Sequence, residues 1–221
     1  MPNARFKAVL FDLDGTLVDT LQDIAAAVNR GLVGAGLAAH PLEAYRRFVG
    51  NGMQVMIRRA VGEHADKYEA VLAHYREDYP RNCLNETAPY PGIADLVHTL
   101  QEKGIRLAIV TNKPQNQTDI IVPHCFPGVS FEHVCGSRPD KPNKPDPTVT
   151  WEVLEAMGLS REEVLFVGDS DVDAQTGVNA GVTCVGVSWG FRGREELLAA
   201  GADYAVDSAE EILTIVFNNA R

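Results

Sequence analysis

The chain has 221 residues, 45% of them apolar, enough to bury a substantial core in one large domain or two small ones. That excludes a disordered tail or a collagen-like rod. With 20 Lys plus Arg against 30 Asp plus Glu the net charge is −10, which argues against a nucleic-acid partner, because phosphates demand a basic face.

The first predicted element is a buried strand over Phe6–Phe11, apolar throughout its second half and broken by Asp12-Leu13-Asp14-Gly15-Thr16. Residues 17–86 then carry helical periodicity and no convincing strand, with helices expected over Leu21–Val33, Gly52–Val61 and Tyr68–Tyr79. Thr20 with Asp23 has the spacing of a capping box. Gly50-Asn51-Gly52 and the Asn85–Pro89 stretch read as loops or hinges. Beyond them strands and helices alternate. A helix runs from Pro91, at a first helical position, to Gly104, and strands follow at Leu107–Val110, Val164–Val167, Val182–Val187 and Tyr204–Val206. Gly158 and Gly181 close helices, and Ser208 with Glu211 starts the last one.

Strands alternating with helices predict an α/β fold, a doubly wound parallel sheet. The helical block makes the domains 1–16 with 87–221 as the core and 17–86 as an inserted all-helical cap. No run of about 18 apolar residues reads as a membrane span, and no secretory signal pattern opens the chain, so the expected location is cytoplasmic, without a membrane partner. Cys83, Cys125, Cys135 and Cys184 form no CxxC pair and read as buried thiols. The six histidines share no spacing that suggests catalysis.

In a doubly wound sheet, ligands bind beyond the carboxyl ends of the strands. The residues there are Asp12 and Asp14 after the first strand, Thr111, Asn112 and Lys113 after the second, Lys144 before a helix, and Gly168-Asp169-Ser170 with Asp173 after a later strand. Four carboxylates brought together repel one another, by about 4 kcal/mol per pair about 4 Å apart at an effective dielectric of 20. A bound cation relieves that. Oxygen donors without nearby His or Cys favour a hard ion, Mg²⁺ first.

The four motifs in this order, Asp12-Leu13-Asp14-Gly15-Thr16, Thr111-Asn112-Lys113, Lys144-Pro145-Asp146-Pro147 and Gly168-Asp169-Ser170-Asp171-Val172-Asp173, resemble those of haloacid dehalogenase superfamily phosphatases with a helical cap after the first strand. The resemblance covers nearly the whole chain. It implies Asp12 as the nucleophile that forms an aspartyl-phosphate, and Asp14 as the acid that protonates the leaving alkoxide and the base that later activates water. It implies Mg²⁺ held by the Asp12 and Asp169 side chains and the Asp14 main-chain carbonyl, with Asp173 behind them. Thr111 and the Asn112 amide would bind the phosphoryl group, and Lys144 would balance its charge and position Asp12. Lys141 is the competing lysine, but the proline spacing favours Lys144. Lys113 reads either as a surface residue at a helix start or as a residue near a substrate anion.

The loop Phe48-Val49-Gly50-Asn51-Gly52, the Trp189-Gly190-Phe191-Arg192 stretch and Gly201-Ala202-Asp203-Tyr204 resemble phosphoglycolate phosphatases. The implied partner is a small anionic phosphorylated metabolite, with 2-phosphoglycolate first. Its carboxylate would suit an arginine, and the cap offers Arg46, Arg47, Arg58 and Arg59. The alternatives are a sugar-phosphate mutase or a pyrophosphatase with the same motifs. Haloacid dehalogenation is disfavoured because the residues for Mg²⁺ and for an acid at Asp14 are kept. A phospho-aspartate receiver is disfavoured by the paired carboxylates and the helical insert.

Overall fold

A computed structural model describes residues 4–217. Strands β1 (Ala8–Phe11), β4 (Arg106–Pro114), β5 (Phe131–Ser137), β6 (Val164–Gly168), β7 (Thr183–Val187) and β8 (Tyr204–Val206) form one six-stranded sheet, ordered β5-β4-β1-β6-β7-β8. Every pairing in it is parallel. A separate two-stranded ribbon pairs β2 (Val18–Asp19) with β3 (Ala88–Pro89) antiparallel.

The central strands read as unbroken apolar runs because both faces of the sheet are covered. Alternation divides each strand between two cores. Val9 and Phe11, Leu107 and Ile109, and Leu165 and Val167 pack in one cluster, while Ala8 and Leu10, Ala108 and Val110, and Val164 and Phe166 pack in the other. The covering helices are α5 (Ile93–Glu102), α6 (Gln115–Cys125), α7 (Thr148–Met157), α8 (Asp171–Ala180), α9 (Arg194–Ala199) and α10 (Ala209–Phe217). The α/β doubly wound architecture expected from the sequence is the one observed.

Between β2 and β3 lie α1 (Leu21–Gly34), α2 (Leu42–Phe48), α3 (Met53–Val61) and α4 (Tyr68–Asn82). Helix α1 buries Ile24, Ala27, Val28 and Leu32, and α4 buries Val71, Leu72, Tyr75 and Tyr79, each at three- and four-residue spacing. These stripes meet, and α1 against α4 is the main helix–helix contact of the insert.

Several local expectations are corrected. Strand β5 was not predicted, because its FEHVCGS sequence sits at the sheet edge with most residues only half-buried and lacks an apolar run. Strand β4 extends to Pro114, so Thr111, Asn112 and Lys113 belong to its irregular end, where pairing with β5 breaks between Val110 and Pro114. Helix α5 starts at Ile93 behind Gly92, leaving Pro91 in the preceding turn. The Ser208 box is displaced, with Glu211 accepting from the Asp207 N–H at 3.1 Å.

Thr20 and Asp23 do not form a capping box either. The Thr20 hydroxyl donates to Asp14 Oδ1 at 2.8 Å. Asp23 accepts from the Glu86 N–H at 3.0 Å, the Thr87 N–H at 3.0 Å and the Thr87 hydroxyl at 2.9 Å. This buried carboxylate therefore ties the start of α1 to the chain that returns from the insert. Among the described residues no helix is long and apolar enough to cross a membrane.

Candidate active site

Strand order reverses at β1, which has β4 on one side and β6 on the other. In such a sheet the connections leave in opposite directions there and open a crevice at the carboxyl ends. Asp12, Thr111 and Asp169 end β1, the regular part of β4, and β6, so topology alone brings them together. The Asp12 N–H is fixed by the Val167 carbonyl at 2.9 Å. Gly15 has φ +84°, and a Cβ there would lie 2.7 Å from Asp169 Cγ, so only glycine lets the first loop pass so close to the second carboxylate. A Cβ on Gly168 would likewise lie 2.7 Å from Asp173 Oδ2.

Asp12, Asp169 and Asp173 are buried and present carboxylate oxygens within 4.8 Å of one another. Lys144 is the buried cation among them, with Nζ 2.9 Å from Asp12 Oδ1 and 2.7 Å from Asp173 Oδ1. Burial pushes the Asp12 carboxyl up to about 6, with Lys144 pulling it down and Asp173 pushing it further up. Burial, then the charges of Asp173 and Asp12, hold Asp169 well above the usual carboxylate range. Burial lowers Lys144, but Asp12 and Asp173 outweigh it and hold its ammonium above the ordinary lysine value.

The remaining oxygens are mostly engaged. Asp169 Oδ2 accepts from the Phe191 N–H at 2.6 Å and Oδ1 from the Thr16 hydroxyl at 3.3 Å. Asp173 Oδ2 accepts from the Ser170 N–H at 3.1 Å and its hydroxyl at 2.6 Å, the reciprocal cap at the start of α8. Asp12 Oδ1 is different. It is buried and ion-paired with Lys144, yet no donor is aligned to give it a hydrogen bond among the described residues. Three clustered carboxylates against one ammonium, with oxygen-only donors within 4.8 Å of one another, fit a hard divalent cation.

The Asp14 carboxylate stands outside this cluster but lines the same cavity as Asp12. Lys113 Nζ lies 2.9 and 3.1 Å from its two oxygens and donates to the Tyr79 hydroxyl at 2.8 Å. Lys113 is 4% exposed, which rules out the surface reading; its position two residues after Thr111 was the available signal. The Asn112 side chain is a clamp that the sequence did not reveal. Its Nδ2 donates to the Gly50 and Lys144 carbonyls, both at 3.1 Å, and its Oδ1 accepts from the Lys144 N–H at 2.8 Å. Lys141 lies outside, paired with Glu152.

The insert closes over these residues. The Phe48–Gly52 loop reaches the site, with Val49, Gly50 and Gly52 lining a cavity shared with Asp12, Asp14, Thr111 and Lys113. The cap arginines do something else. Arg46 donates to the Gly190 carbonyl at 2.7 Å, Arg47 pairs with Glu196 at 3.0 Å, Arg59 donates to the Arg47 and Phe48 carbonyls, and Arg58 lies over the Tyr68 ring. None of these four lines the cavity. Buried Arg192 donates to the Arg46 carbonyl and pairs with Glu196 at 3.0 Å, completing a clasp between α2 and the Trp189–Arg192 stretch.

A sequence profile of the haloacid dehalogenase-like hydrolases matches residues 9–187, which include all four motifs. The chain belongs to this family. Among haloacid dehalogenase-like hydrolases it is similar to the phosphoglycolate phosphatase of Pseudomonas putida, 35% identical over 219 residues that cover 96% of this chain and 80% of the relative. It is 32% identical to the phosphoglycolate phosphatase of Haemophilus influenzae, over 97% of this chain and 100% of that one. The crystal structure of a candidate phosphoglycolate phosphatase from Lactobacillus delbrueckii superposes with a TM-score of 0.92 at 30% identity, covering 97% of this chain and 100% of the other.

Proposed function

We propose that this chain is a Mg²⁺-dependent phosphomonoester hydrolase that works through an aspartyl-phosphate on Asp12, with 2-phosphoglycolate as its substrate. The observation that carries the reading is Asp12 itself, a buried carboxylate that lines the cavity under the cap and is held by Lys144 at 2.9 Å. The substrate rests on the similarity to phosphoglycolate phosphatases.

Asp12 and Asp169 would hold Mg²⁺ through their side chains and Asp14 through its main-chain carbonyl, with Asp173 behind them. The ion would offset the repulsion between the Asp12 carboxylate and the phosphate dianion and orient the phosphoryl group. Asp12 attacks phosphorus, forming an O–P bond as the bond to the leaving alkoxide breaks. Asp14 gives that alkoxide its proton. Water then attacks the aspartyl-phosphate, Asp14 takes the proton back, and phosphate leaves with Asp12 restored. Thr111 and the Asn112 main-chain amide hold phosphoryl oxygens, and Lys144 balances their charge.

Residues 17–86 act as the cap domain, excluding water while the phosphoryl group transfers. Lys113, bonded to both Asp14 and the cap residue Tyr79, orients the acid–base group when the cap is down. The four free cysteines fit a reducing cytoplasm.

The test is phosphate release from 2-phosphoglycolate, pyrophosphate, sugar phosphates and a nucleoside monophosphate, with and without Mg²⁺, beside Asp12→Asn. Release that prefers 2-phosphoglycolate and needs both metal and Asp12 supports the reading. Stable phosphorylation of Asp12 without release overturns hydrolysis in favour of a mutase or a receiver.

A further inference from the structure

Four buried side-chain polar atoms lack a hydrogen-bond partner among the described residues: Asp12 Oδ1, Gln117 Oε1, His74 Nε2 and Thr150 Oγ1. Asp12 and Gln117 line the same cavity, whereas His74 and Thr150 do not. Buried polar atoms are paired in the great majority of cases, so an unpaired one on a residue that lines a cavity points to a ligand or water there as its partner. The Asp12 oxygen belongs to the phosphoryl and metal end. Gln117 Oε1 is left for the other end of the substrate.

Gln117 is in the first turn of α6 and only 2% exposed, three residues past Pro114 and four past Lys113. The wall opposite is supplied by the cap, through Ile24, Val49, Met53, Met56 and Tyr75, while the cap guanidinium of Arg76 lines the adjoining groove beyond Gly52 and Met53. Lys113, the ammonium in this cavity, is engaged by Asp14 and Tyr79. The amide of Gln117 is therefore the uncommitted polar group placed to meet the alcohol part of a substrate. A primary amide offers both a donor and an acceptor, and it can turn over to present either. The cavity holds about 40 Å³ with the cap closed, space on the order of three waters, so that alcohol part is short.

We propose that Gln117 is a specificity-determining residue, whose amide hydrogen-bonds the polar group at the non-phosphoryl end of a short-chain phosphate monoester. This rests on the hydrolase reading above and adds to it the residue that selects the substrate.

The experiment compares kcat/KM for 2-phosphoglycolate, 2-hydroxyethyl phosphate and 2-aminoethyl phosphate with that for ethyl phosphate, which keeps the two-carbon chain but has no polar end. In Gln117→Leu the preference for the best polar-ended ester over ethyl phosphate falls about tenfold, the loss of one neutral hydrogen bond. In Gln117→Glu the added negative charge lowers the preference for 2-phosphoglycolate further and raises that for 2-aminoethyl phosphate. A loss shared equally by all four esters, or no change in preference in either variant, overturns the proposal while leaving the hydrolase reading intact. No metal-dependent release from any ester by the wild-type protein overturns both.

Discussion

Asp169→Asn should make the metal-free protein more stable while removing its response to Mg²⁺. Asp12 and Asp169 are both held above the ordinary carboxyl value of 3.8 in the folded state, Asp12 at about 6. In that window the unfolded chain gives up protons that the folded chain keeps, so stability falls as pH rises from 3.8 to about 6. A rise from 3.8 to about 6 for Asp12, at about 1.4 kcal/mol per tenfold change in proton affinity, is a penalty of about 3 kcal/mol at neutral pH. Asp169 carries a penalty of the same origin, and its charge contributes to that of Asp12. Asparagine removes the charge and keeps the packing. Its oxygen can still accept from the Phe191 N–H, and its NH₂ can donate to the Thr16 hydroxyl if that hydroxyl rotates. A gain in stability then shows as a higher melting temperature, by roughly 2–4 °C for each kcal/mol in a chain of this size. Thermal unfolding in chelator at pH 7.5 should show that gain, and at pH 4.5 it should shrink. Adding Mg²⁺ should raise the wild-type midpoint at pH 7.5 and leave the variant unmoved. A variant that melts below wild type in chelator, or that gains as much from Mg²⁺, would refute the account of Asp169 as a strained metal ligand.

Other expectations follow from single contacts. Asp12→Asn should reduce phosphate release to below about a thousandth of wild type with an unchanged circular dichroism spectrum, since it removes the nucleophile at nearly constant volume. Lys113→Met removes the ammonium that holds both Asp14 oxygens and the Tyr79 hydroxyl; steady-state kinetics should show kcat falling on the order of a hundredfold, and an unchanged kcat would separate Lys113 from the acid–base step. Asp23→Ala strands the Glu86 and Thr87 N–H groups and should cost about 2–4 kcal/mol in urea unfolding, with a loss below about 1 kcal/mol arguing against the tie between α1 and the returning chain. Arg46→Ala breaks a bond from α2 to the Gly190 carbonyl; KM for 2-phosphoglycolate should rise several-fold, and stopped-flow fluorescence of Trp189 should report faster cap opening.

The core was legible because two independent constraints agree there. A strand buried on both faces must be apolar throughout, as Ala8–Phe11 and Val164–Val167 are, and the ligand site must follow where such strands end. Asp12, Asp169 and Lys144 could be placed from that logic and the motifs that resemble the family. Strand β5 was not legible, since an edge strand with Glu132 and His133 meets neither constraint. The Thr20 and Asp23 pair matched a capping pattern in sequence, but tertiary partners took both side chains, Asp14 for one and the returning chain for the other. Spacing within a helix cannot reveal a competitor sixty residues away.

The cap shows the same limit in a form that matters for substrate choice. Four arginines at helical spacing looked available for an anionic leaving group, yet Arg46 and Arg47 face Gly190 and Glu196 on the core, Arg59 holds its own loop, and Arg58 stacks on Tyr68. The core supplies a carbonyl and a carboxylate at contact distance, and Arg46 and Arg47 meet them across the cap–core seam. On a protein with a net charge of −10, cap cations are thus drawn into closing the lid. What remains to line the cavity is apolar cap surface on one side and, on the other, a phosphoryl machinery whose own lysines, Lys113 and Lys144, are already paired. Within this cavity, then, the charged groups handle the phosphate, and discrimination between substrates falls to neutral groups such as the Gln117 amide.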